Sequence, residues 1–282
     1  MQTRSIEAPA GIRELAAAAG VLLVLSRFVD GAAPWVIAVL LFGAYLFGAL
    51  QVFHDAHSTT RAHGVPIESL LDPAVLAFGS IGVLHLVPIG LLEVPALVAI
   101  LWLLVRSLAL EARLAQATTP PSAADRTAVL SMTMVAGLAA FAGIAALVPG
   151  ALPDPAAVVN GGPVAPPSPS LVFGLAAADG LIAFLLAYRV AALRSTSIRD
   201  VGWAASTAAA IVAIAAAFLR TLAIPGILGP ALLVLVFFLW EAIHGSGGAP
   251  ARRRDPRRIW ETLLLVALGL VVIVWSVGLR SS

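Results

Sequence analysis

Apolar residues in this chain fall in long runs, and polar positions collect between them. A helix that crosses a bilayer needs about 20 mostly apolar residues. Nine segments have that character: 12–29, 33–53, 73–91, 94–114, 128–147, 171–190, 201–222, 227–243 and 259–279. Period-two alternation of useful length is absent, which argues against strands. The expected fold class is therefore all-α: a polytopic integral membrane helical bundle of about nine transmembrane helices, with eight to ten as the range. The first run has no compact basic start and no small-residue cleavage site, so it reads as a retained helix.

A Pro/Gly-rich stretch interrupts the pattern at 150–170, with the sequence LPDPAAVVNGGPVAPPSPS inside it. Proline withholds a backbone donor and stiffens the chain. The stretch reads as an external loop joining an N-terminal membrane part, 1–149, of about five helices to a C-terminal part, 171–282, of about four. A docking surface for a partner is the alternative use of that loop.

Charge orients the expected bundle. Basic residues gather on the cytoplasmic side of membrane proteins. With the N-terminus inside, Arg4, Arg13, Arg61, Arg106, Arg113, Arg126, Arg189, Arg194, Arg199, Arg252, Arg253, Arg254, Arg257 and Arg258 fall at the inner face. Arg27, Arg220 and Arg280 fall at the outer one. The expectation is N-in and C-out.

Composition supports the bilayer and removes several chemistries. Of 282 residues, 60% are hydrophobic and 11% charged, against about a quarter charged in soluble domains. Mean hydropathy is +1.00. Cysteine is absent, so disulfides, thiol nucleophiles and Fe–S clusters are excluded. All 17 basic residues are Arg, and without Lys neither retinal nor pyridoxal phosphate can form its Schiff base. Net charge is only +2 with the Arg residues at membrane edges, so nucleic acid is not an expected partner. The lipid bilayer is, and so are other membrane subunits. The expected location is a bacterial or archaeal cytoplasmic membrane.

Ionisable groups inside the hydrocarbon are functional candidates by default. His85, Asp179 and Arg220 form one such set in the outer half, with Glu93 near the same edge. As a substrate or proton path, Asp179 and His85 would titrate and Arg220 would hold an anion. As packing, they would fix the bundle, with Arg220 at the headgroups. Proline and glycine at 88–90 and 225–229 suggest broken helices near such a site. An inner-face set comprises His54, Asp55, His57, His63, Glu241 and His244. His54 with His57, and Glu241 with His244, have the i, i+3 spacing of metal ligands in helix bundles. FGALQVFH and FFLWEAIH, ending at His54 and His244, also form a faint internal echo. A bis-His haem lacks two histidines at matched depth.

Phosphate-loop, HExxH and nucleophile-elbow motifs are missing. Three function classes follow. The foremost is a non-catalytic membrane subunit or scaffold of a larger complex. Next comes a small-solute or proton-coupled transporter using Asp179, His85 and Arg220. The third is a membrane enzyme with a His/Glu metal site at the inner face.

Overall fold

The computed structural model describes residues 10–57, 66–117, 119–152, 167–195, 197–222, 224, 226–244 and eight positions within 264–275. Among them every regular element is helical. In chain order these are α1 (Ala10–Ser26), α2 (Ala33–His57), α3 (Leu71–Leu86, entered through a 3-10 turn at Ile67–Leu70), α4 (Glu93–Gln116) and α5 (Ala123–Leu147), followed by α6 (Pro169–Ala192), α7 (Ile198–Thr221) and α8 (Leu228–His244). The described positions within 264–275 are also helical.

Six helical segments are long and apolar enough to cross a bilayer: Ala33–Phe53, Ile67–Leu86, and the whole of α4, α5, α6 and α7. Helices α1 and α8 have 17 residues each, which at 1.5 Å per residue is roughly 25 Å. The last sequence run falls largely outside the described residues. Among the described residues, six of the expected nine runs are thus helices with the length and character of a span. Large apolar side chains stand on the outside, among them Phe47, Trp102, Phe173, Trp203 and Ile214. A chain with such outward faces is at home in lipid, where those faces need no polar cover.

Local sequence explains where helices begin. Ser122 Oγ accepts from Asp125 N, and Asp125 Oδ2 accepts from Ser122 N. This reciprocal capping box starts α5. Ser168 accepts from Leu171 N at the start of α6, with Pro169 at the first helical position, where its missing N–H costs nothing. Ser197 accepts from Asp200 N and starts α7. Turns between helices use glycines at positive φ, Gly31 at 68° and Gly226 at 57°.

The chain divides into two compact units, 1–139 and 140–282, with the boundary inside α5. In the first, α3 is the most enclosed helix, and α1, α2 and α4 pack against it. Helices α1 and α2 approach closely at two glycines. A Cβ on Gly11 would lie 2.7 Å from Val52 Cγ2, and one on Gly48 would lie 2.9 Å from Leu15 Cδ1. Trp35 and Phe42 of α2 meet Phe78 of α3.

In the second unit, α6 and α7 pack along their length, and α8 packs on α7. The buried stripe of α7 is Val201, Ala205, Ala208, Val212, Ala216 and Leu219, recurring at the three- and four-residue spacing of one helix face. Its three alanines let the backbones come close, as small residues do between membrane helices.

Pro88 and Gly90 lie in the turn between α3 and α4, and Gly226 in the turn between α7 and α8. At 88–90 the chain is thus changing direction between two helices rather than breaking one; Gly229 lies inside α8, and Pro225 lies outside the described residues.

Candidate functional site: a buried ion pair between two Ala-rich helices

Asp179 lies ten residues into α6, on the face that meets α7. The next residue, Gly180, is where the two helices nearly touch. A Cβ there would meet Ala213 Cβ at 3.0 Å and the backbone oxygen of Ala209 at 3.2 Å. Arg220, next to the last residue of α7, donates from Nη2 to Asp179 Oδ2 at 2.6 Å. The side chain of Asp179 is 0% exposed and that of Arg220 11%.

Helix direction explains how a residue at the end of α7 reaches one so deep in α6. Side chains lean toward the N-terminus of their own helix. The two helices run antiparallel through the short link at 193–197, so Arg220 leans inward while Asp179 leans outward, and they converge. Gly180 faces Ala213, seven residues before Arg220, or roughly 10 Å of helix rise. The two side chains span that interval together. Asp179 Oδ1 and Arg220 Nε have no hydrogen-bond partner among the described residues.

The other members of the outer set are held separately. His85, in the last turn of α3, has Nδ1 2.9 Å from the carbonyl oxygen of Ile81 on its own helix. Among the described residues, the bonded partner of Asp179 is Arg220 and that of His85 is a backbone oxygen. Glu93 opens α4 and accepts from Arg27 Nε at 3.0 Å, while Arg27 Nη2 donates to the Val87 carbonyl at 3.0 Å. One guanidinium thereby ties the end of α1 to the α3–α4 turn and the start of α4.

At the other end of the second unit, Arg194 donates to Glu241 Oε2. Glu241 is buried and Arg194 about one-third exposed. Three residues on, His244 stacks on Trp240 at 5.0 Å and 16°, its Nδ1 3.0 Å from the Trp240 carbonyl. Glu241 is thus engaged by an arginine and His244 by its own helix. No group of three or more His, Asp or Glu residues among those described is placed to hold a metal ion. The side chains of His54, Asp55 and His57, and all of His63, lie outside the described residues. The internal echo does not extend to environment: Gln51 is exposed and Glu241 buried.

Sequence reasoning passed over several partners. Asp72, in the first turn of α3, is fully buried and accepts from Thr133 Oγ1 of α5 at 2.5 Å. Arg194 and Arg27 read only as topological charges, yet both tie helices together. Glu111 and Arg189 are also buried. The available signal was an acid or arginine set against small residues on the inward face of its helix, as at Asp179-Gly180.

No protein-family model, no curated protein and no solved structure matches the chain.

Proposed function

We propose that this chain is a non-catalytic subunit or scaffold of a larger membrane assembly, in a bacterial or archaeal cytoplasmic membrane. The observation that carries this reading is the Asp179–Arg220 pair. Its carboxylate is wholly enclosed, it is bonded to an arginine of the neighbouring helix, and it adjoins the close backbone approach of α6 on α7 at Gly180. A group so placed serves helix geometry. The same use recurs in Arg194–Glu241, Asp72–Thr133 and Arg27–Glu93, each of which ties different elements together. The ionisable residues thereby act as struts, leaving broad apolar surfaces to lipid and to partner subunits.

A coupled transporter is the second reading. It draws on Asp179 Oδ1 and Arg220 Nε, two buried polar atoms of one pair that have no hydrogen-bond partner among the described residues; a transported proton would sit on the carboxylate oxygen, and a small solute with an acceptor oxygen would satisfy the Nε–H donor.

Replacing both residues in the native host with apolar ones, Asp179→Leu with Arg220→Leu, separates the readings. A strut can be exchanged for apolar packing, so the scaffold reading expects normal accumulation and an unchanged phenotype. A lost phenotype in a normally accumulating, folded double variant would favour transport.

A further inference from the structure

Glu14 and Arg106 are, with Asp30, Glu68 and Arg126, the charged residues of the first unit that stand outside every strut among the described residues. Glu14 lies in the second turn of α1 and Arg106 past the middle of α4, and both are exposed. Arg106 has its guanidinium carbon 5.7 Å from the ring centre of Trp102, one turn earlier on the same helix. Neither residue makes a hydrogen bond or ion pair among the described residues.

Their heights can be read from neighbouring contacts. Arg27, just past α1, bonds Glu93 at the start of α4, and Gly20 of α1 faces Leu101 of α4. Seven residues back along the chain from Arg27 thus correspond to eight forward along α4, so the helices run antiparallel. Six more residues down α1 reach Glu14, and five more along α4 reach Arg106. The two opposite charges therefore sit at the same level on neighbouring helices. Both lie on outward stripes, Glu14–Ala18–Val21 on α1 and Val98–Trp102–Arg106 on α4.

We infer that the outward faces of α1 and α4 form the contact between two copies of this chain, joined by reciprocal Arg106–Glu14 ion pairs. A two-fold axis along the membrane normal keeps both copies at one depth and sets the same patch of each against the other. Helix α1 then meets α4 of the other copy, Arg106 meets Glu14 of the partner subunit, and the second pair forms by symmetry. Small residues on α1 permit close approach, and Trp102 supplies an apolar anchor of the kind that dominates interfaces. A lipid phosphate would satisfy Arg106 and leave Glu14 alone. A second copy satisfies both.

The natural absence of cysteine makes the test direct. Full-length chains carrying Glu14→Cys with one tag and Arg106→Cys with another are coexpressed, and their membranes oxidised. The inference expects a disulfide-linked dimer bearing both tags, and none when Glu14→Cys is expressed alone. It also expects Arg106→Glu to weaken dimerisation in nanodiscs by about tenfold or more, and Glu14→Arg with Arg106→Glu to restore it. Both positions are exposed, and unchanged thermal stability of the variants verifies folding. A wild type that remains single at every protein-to-lipid ratio, with no mixed disulfide, overturns the inference. So does loss of phosphatidylglycerol retention in Arg106→Ala without change of oligomeric state, which would assign Arg106 to a headgroup.

Discussion

Removing Arg220 should cost more than removing Asp179, although the two form one pair. Asp179 is 0% exposed and ten residues deep in α6. In Arg220→Ala this fully buried carboxylate loses its counter-charge. Breaking a buried pair by deleting one partner costs about 3–5 kcal/mol. In Asp179→Ala the orphan is Arg220, one residue from the end of α7 and already 11% exposed. Its long stem can turn outward to the headgroups, and the loss is then about 1.5–3 kcal/mol, the worth of a hydrogen bond to a charged group. Replacing both with leucine leaves no charge behind and should fall within about 1 kcal/mol of wild type. The four proteins are therefore expected in a fixed order of stability: Arg220→Ala lowest, then Asp179→Ala, then the double-leucine variant near wild type. Reversible denaturation in mixed micelles, followed by tryptophan fluorescence, measures all four proteins. A double-leucine variant less stable than either alanine variant, or Asp179→Ala costing as much as Arg220→Ala, would refute the reasoning.

Other changes test neighbouring parts of the account. Gly180→Val drives two methyl groups against the Ala209 backbone and should destabilise α6–α7 by about 1–3 kcal/mol, seen as a lower midpoint in the same denaturation. Thr133→Val removes the hydroxyl that bonds Asp72 and should cost about 1.5–3 kcal/mol, whereas Thr127→Val, at an exposed site on the same helix, should be nearly silent. Arg194→Ala leaves the enclosed Glu241 without its partner. It should cost about 3 kcal/mol, and Arg194→Ala with Glu241→Leu should recover most of that loss.

Apolar runs of the required length were enough to locate the six helices that are long and apolar enough to span, because a bilayer imposes one period and one length on everything that crosses it. The helix beginnings at Ser122, Ser168 and Ser197 are written just as locally, in a side-chain oxygen three residues ahead of an orphan N–H group. The pairing of charges was not legible in the same way. Asp179 stood out because it interrupts an apolar run, but nothing in its neighbourhood says that Arg220, 41 residues later, leans inward to meet it. That follows from the antiparallel course of α6 and α7 and the lean of side chains along each helix. Placing His85 with Asp179 in one outer-half set leaves rotation about the helix axis undetermined; the ring of His85 bonds Ile81. Proline and glycine at 88–90 and Gly226 signalled broken helices equally well as turns, since both need a backbone that leaves the helix.

The central claim is that this chain builds an assembly. The most direct measurement is the composition and mass of the particle extracted from the native host in mild detergent. The account predicts other membrane subunits present with this chain in fixed ratio through successive purification steps. A particle of this chain and lipid alone, whether single or paired, would contradict it and turn attention to transport at Asp179.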